Sequence, residues 1–263
     1  MIPPIIDLEG GDKKMEINIL PKFIDEAATP VAQSVGNTVS GIWNLVFGNH
    51  VSLWLKKQEY KHQQNYEDFL KKVNTKVENI PPENIKEPEM HILGPAIEAS
   101  KYYIHSEELR DIFANLIAAS MNSEKADTVH PSYIEIIKQL SPDEAILLKF
   151  MKGGNFSFYN VNLLLDPKLK NTLLRNFSVI GFQAECKYPE NITVYLDNLS
   201  RLGLVVLDNT RFISDQSKYD EIEQNSFFKE SIEYISPLGN IEKQKGYIES
   251  TLYGINFYKT CIS

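Results

Sequence analysis

The sequence predicts a mainly α-helical protein in two parts. A helical domain is expected over residues 25–140, after a tail at 1–24, and a winged-helix-like α+β domain over 141–263. Three observations carry this reading. Apolar residues recur at helical spacing through the first half. Capping residues and prolines punctuate the middle of the chain. Near residue 201, Arg201-Leu202-Gly203 runs directly into Leu204-Val205-Val206, the pattern of a helix stopped by glycine and continued as a strand.

Residues 1–20 are broken by Pro3, Pro4, Gly10 and Gly11 and suit a tail or a short strand. From Ala27 to Leu55 there is no Asp, Glu, Lys or Arg. Thr29-Pro30 is a suitable helix start, and Val35, Val39, Ile42 and Val46 then share a helical face. Beside them Ala28, Ala32, Gly36 and Ser40 repeat every four residues, a small-residue ridge against which another helix can pack closely. Three readings of this segment stay open: a buried helical hairpin, an interfacial or membrane-penetrating element, and a homo-oligomer seam. Gln33, Asn37, Thr38 and Asn44 interrupt the run, which argues against a plain transmembrane span.

A long helix is expected over 51–78, ended by Pro81, Pro82 and Pro88, and a shorter one over 95–103. Ser106 is placed to cap the next, with Glu107 and Glu108 in its first turn. Its core stripe is Leu109, Ile112, Phe113, Leu116 and Ser120. His130-Pro131 opens a short helix, and Ser141-Pro142-Asp143-Glu144 is a capping box whose helix stops at Gly153-Gly154. An aromatic and leucine-rich stretch to about Gly181 follows, without an assigned element. A helix from Pro189 then leads into the strand at 204–206. A second strand at 246–251 and a final short helix at 253–257 complete a two-stranded wing, into which residues 208–245 are inserted with an acidic helical piece at 215–234.

The net charge is −8, with 20 acidic against 14 basic residues in 1–140 and 15 against 13 in 141–263. Neither half has the basic excess that phosphate contacts require, so nucleic acid is not the expected partner. The helix at 190–203 offers one arginine, Arg201, beside Glu190 and Asp197, a poor reader of a phosphate backbone. Cys186 and Cys261 are far apart, no CxxC occurs, and no basic region precedes an apolar run at the start. A reducing cytoplasm is the expected setting, with peripheral membrane contact as the alternative.

No catalytic, metal or cofactor site is expected from the motifs. His130 with Glu107 forms the weak candidate polar site, although a histidine before proline more often bonds nearby backbone. His91, His105 and His130 lack the i, i+4 pairing of a metal helix. Glu107, Glu108, Asp111, Asp143 and Glu144 could in principle do acid–base work, but all sit in first helical turns where carboxylates cap. Gly153-Gly154 lacks the Lys-Ser/Thr of a phosphate loop, and Cys186 beside Lys187 has no partner histidine. Asp215, Asp220, Glu221 and Glu223 in the insertion form the candidate partner surface.

The block from Ile80 to Leu148 carries more specific wording. It contains Ile80-Pro81-Pro82-Glu83-Asn84, Glu87-Pro88, Gly94-Pro95-Ala96, Glu107-Glu108-Leu109 with Phe113-Ala114-Asn115-Leu116, Ala126-Asp127 with His130-Pro131, and Gln139-Leu140 before the capping box and Ala145. With Gly254, Phe257 and Cys261 near the end, the chain resembles the Abi-alpha family. That resemblance implies a helical N-terminal part and a role in abortive infection and bacteriophage defence. It supplies no catalytic residue. The expectation is therefore a non-enzymatic defence protein that binds a protein partner or a second copy. The alternatives are a membrane-acting effector using 27–55 and a winged-helix DNA-binding regulator.

Overall fold

A computed structural model describes residues 60–166 and 169–263. The tail at 1–24, the uncharged segment 27–55 and its ridge of Ala28, Ala32, Gly36 and Ser40 lie outside the described residues. The architecture is α-rich α+β, with helices gathered around one four-stranded antiparallel sheet.

Helix α1 spans Tyr60–Glu78 and buries Phe69, Val73 and Val77 along one stripe. Helix α2 spans Met90–Tyr103 and starts earlier than the 95 expected from Pro95. Pro95 costs the helix one backbone bond. The turn before it is nevertheless kept, because Ile92 and Leu93 are buried in line with Ala96 and Ile97.

Helix α3, Glu107–Ser120, is the centre of the helical layer. Ser106 accepts the Leu109 amide at its N-terminus, and every residue from Ile112 to Ser120 is buried or half-buried. The expected single stripe is therefore too narrow: α1, α2 and the C-terminal segment surround this helix. Helix α4 is Ser132–Ile137 and α5 is Pro142–Met151. The capping box on α5 is complete, with Ser141 Oγ accepting the Glu144 amide and Glu144 accepting the Ser141 amide. It ends on Lys152 and Gly153, both left-handed, at φ 50° and 72°.

The aromatic, leucine-rich stretch forms a long hairpin, β1 (Phe156–Asp166) and β2 (Leu169–Phe177). A short turn α6 (Ile180–Gln183) and helix α7 (Ile192–Arg201) follow. Gly203, at φ 75°, reverses the chain, and the Leu204 amide closes back on the Leu199 carbonyl. Strand β3 is Val205–Asp208. The insertion folds as two helices, α8 (Ser217–Gln224) and α9 (Ser226–Ile235), split at Asn225, whose side chain caps α9. Strand β4, Ile241–Ser250, returns along β3, and α10 (Leu252–Phe257) leads into a π-helical turn at Tyr258–Ile262.

The sheet order is β2-β1-β4-β3. The β3–β4 pair is thus half of a larger sheet, and the hairpin supplies the other half. Tyr159 and Phe177 on one face stack against Tyr219 of α8 and Phe228 of α9. The opposite face meets α7. One hydrophobic cluster runs from Tyr66 to Cys261. The C-terminal turn is tied to the first half of the chain by the Asn115 amide on the Cys261 carbonyl, at 2.8 Å, and by Thr260 on Thr128.

Candidate functional site

The acidic residues of the insertion divide into two groups. Asp220 accepts the Gln216 amide, and Glu223 is held by the Tyr159 hydroxyl at 3.1 Å and Lys243 at 3.3 Å. Burial, reinforced by Glu223, pushes the Tyr159 phenol above its usual range. Glu223 therefore fastens α8 to the sheet. Asp215 and Glu221 instead face a cleft of about 830 Å³ between α8 and the body of the protein.

The walls of this cleft mix charge with aromatic surface. Phe150 from α5, Phe156 from β1 and Tyr247 from β4 supply rings, and Gln183, Lys218 and Glu221 supply polar groups. Glu221 accepts from Lys218 at 3.1 Å on one oxygen and from Gln183 at 2.9 Å on the other. Asp215 Oδ1 takes the Ser217 amide and hydroxyl, which hold its carboxyl below the usual aspartate value. Its second oxygen makes no hydrogen bond among the described residues. The chain's own Arg211 lies over the Tyr247 ring, 5.2 Å from its centroid.

The other candidate residues are placed elsewhere. Asp143 is buried and takes three bonds, from the Lys187 amide (2.8 Å), the Tyr188 amide (2.9 Å) and the Tyr195 hydroxyl (2.7 Å). Burial pushes its carboxyl up, and these donors more than offset it, leaving the pKa below the usual value. Glu144 accepts from Asn198 at 2.7 Å. Both residues staple α5 to the 186–198 segment. Glu107 and Asp111 line a separate cleft of about 430 Å³, where Lys72 lies 3.7 Å and 3.8 Å from them, and Lys76 lies 3.2 Å from Asp111. The five carboxylates do not converge.

His130 and Glu107 are not brought together by any contact. His130 Nδ1 accepts the Ser132 amide at 3.2 Å and stands 2.5 Å from its hydroxyl, capping α4 in the manner of an Asx turn. The Ser132 hydroxyl also bonds the Tyr253 hydroxyl on α10. No sequence signal marks Tyr253, because its partner lies 121 residues away. Among the described residues no group of His, Cys, Asp and Glu could hold a metal ion. Burial pushes the Cys186 thiol up to about 11, with Asp143 adding to it, and burial also raises Cys261. No helix among the described residues is long and apolar enough to cross a membrane.

On the candidate recognition helix α7, Arg201 is already engaged. Its three nitrogens donate to Asn198 and Gln139.

Comparison with known proteins adds three findings. A solved structure of an uncharacterized protein from the hydrocarbon-degrading marine bacterium Alcanivorax borkumensis SK2 is 18% identical, covering 54% of this chain and 96% of its own, with a TM-score of 0.38. No curated protein matches the sequence. A family model described as abortive infection alpha matches residues 61–261, which is most of the chain, and the chain belongs to that family.

Proposed function

We propose that this abortive infection alpha protein acts in bacteriophage defence by binding a protein partner, without catalysis, through the acidic cleft of its insertion. The observation that carries the reading is the pair Asp215 and Glu221 at the mouth of an aromatic-walled cleft. A basic segment of a partner would place Lys or Arg against these carboxylates. The family membership supplies the defence setting.

The helix–strand–strand unit of α7, β3 and β4 would serve, in this reading, as a winged-helix-like scaffold for protein contact. The engagement of Arg201 with Asn198 and Gln139 supports a protein partner over nucleic acid, since the helix is left with Glu190 and Asp197 beside it.

The test is phage challenge of cells carrying the intact gene or the double variant Asp215→Lys, Glu221→Lys. Asp215 is exposed and Glu221 half-buried, and the Glu221–Lys218 pair is a surface pair of small energetic weight. The variant should fold normally, checked by its melting temperature, and lose protection. Full protection by a soluble double variant would sink the proposal.

A further inference from the structure

The sheet face turned toward α7 holds a second cleft, apart from the acidic one. Its volume is about 480 Å³, within the range of small-ligand sites. Residues alternate between faces along a strand, so Ser157 of the acidic cleft and Asn160 of this one lie on opposite sides of β1.

The floor is built from two asparagines, both more than nine-tenths buried, Asn160 on β1 and Asn176 on β2. Asn176 sits in the left-handed region, at φ 48°, where β2 bulges away from β1. The Asn160 Oδ1 atom accepts the Asn176 backbone amide at 2.8 Å, standing in for a strand carbonyl. That bond fixes which end of the Asn160 amide is oxygen, so its Nδ2 is the atom left without a bond among the described residues. The Asn176 Nδ2 donates to Asp197 Oδ1 at 2.9 Å. This leaves Asn176 Oδ1 and Asp197 Oδ2 as open acceptors. Arg175 stands at the rim, 3.8 Å from Asp197 and with its side chain 63% exposed.

The cleft therefore offers fixed donors and acceptors side by side, with one loosely held guanidinium at the edge. An apolar ligand would leave these groups desolvated and unpaired. A bare anion would meet Asp197, and a bare cation would meet Arg175. Hydroxyl groups both donate and accept, and they match the Asn160, Asn176 and Asp197 set. A phosphate beside them would match Arg175.

We propose that the cleft between α7 and the β1–β2 hairpin binds a phosphorylated sugar, with Arg175 on the phosphate and Asn160, Asn176 and Asp197 on the hydroxyls. The ligand is either a free sugar phosphate or the 5′-phosphorylated end of a nucleic acid, which share this chemistry.

The experiment is calorimetric titration of the full chain with ribose 5-phosphate, ribose, inorganic phosphate and a 5′-phosphorylated oligonucleotide. Ribose 5-phosphate should bind at least tenfold more tightly than ribose or phosphate. Arg175→Ala should remove that advantage while leaving ribose unchanged, and Asp197→Asn should weaken ribose and ribose 5-phosphate together. Equal melting temperatures would show that both variants fold. Arg175-dependent binding of the oligonucleotide, tighter than that of ribose 5-phosphate, would identify the chain end as the ligand. Its absence beside ribose 5-phosphate binding would identify the free metabolite. Silence of all four probes, or binding indifferent to both variants, would overturn the proposal and leave the acidic-cleft reading untouched.

Discussion

Asp143 gives the sharpest test of how α5 is joined to the 186–198 segment. Its carboxylate takes three donors between 2.7 Å and 2.9 Å, two of them backbone amides of the 187–188 loop and one the Tyr195 hydroxyl. Hydrogen bonds to a charged group are worth about 1.5–3 kcal/mol each when buried. Lys187 and Tyr188 are exposed, so water can reach their amides once the carboxylate is gone; Tyr195 is buried and its hydroxyl cannot be rescued as easily. Asp143→Ala should therefore cost about 3–4 kcal/mol, nearer one full bond plus two partial ones than three full bonds. Tyr195→Phe should cost about 1–2 kcal/mol, and the double variant about 1 kcal/mol or more less than the sum, because the singles share a bond. The assay is urea unfolding of the four proteins. The carboxyl's pKa is depressed in the folded state, so its stabilisation is complete above the usual aspartate value and is lost as pH falls through the folded value. The wild type should lose stability in that acidic window more steeply than Asp143→Ala does. Additive singles, or a loss under about 0.5 kcal/mol in Asp143→Ala, would refute the reasoning.

Three further outcomes are expected. Burial raises both thiols, Cys186 to about 11, so neither should react with iodoacetamide at pH 8 until the protein is unfolded, as read by mass spectrometry. A Cβ at Gly246 would run into the buried Phe158 ring across the β1–β4 pair, so Gly246→Ala should destabilise by about 2–3 kcal/mol, with partial recovery in a Phe158→Leu background, in thermal melts. Ser132 bridges His130 and Tyr253, so Ser132→Ala and Tyr253→Phe should each cost about 1 kcal/mol in urea unfolding, and together little more than Ser132→Ala.

Features written in neighbouring residues were legible from the sequence. The Ser141 capping box, the Ser106 cap and the Gly203 stop each depend on side chains within a few positions of the backbone they satisfy, and all three are present. The β1–β2 hairpin was not legible, because its pairing has three register shifts that break the alternation of a strand. Asn160 and Asn162 occupy its interior, where apolar residues would have marked it. Burial of Ile92 and Leu93 set the start of α2 at Met90, ahead of the start that Pro95 suggested. The Asp143–Tyr195 and Ser132–Tyr253 contacts span 52 and 121 residues and have no local signature at all.

The carboxylates show why geometry has to arbitrate function here. By position, Asp143 and Asp215 look alike: each lies at the start of a helix, and each has a lowered pKa. Asp143 reaches that state with both oxygens engaged inside the protein, so no incoming group can use it without breaking the loop it holds. Asp215 reaches it through Ser217 on one oxygen alone and keeps the other turned outward beside the cleft. A depressed carboxyl stays charged in either setting, but only the second can lend that charge to a partner. Glu223 and Glu221 do not divide in that way: Glu223 is taken by Tyr159 and Lys243, and Glu221 by Lys218 on one oxygen and Gln183 on the other, so what sets Glu221 apart is its place in the cleft lining. Of the four acids that look alike along the insertion, Glu223 fastens it to the sheet, while Asp220 accepts from Gln216 within the insertion itself. Asp215 and Glu221 line the cleft, which is where the proposed partner would meet them.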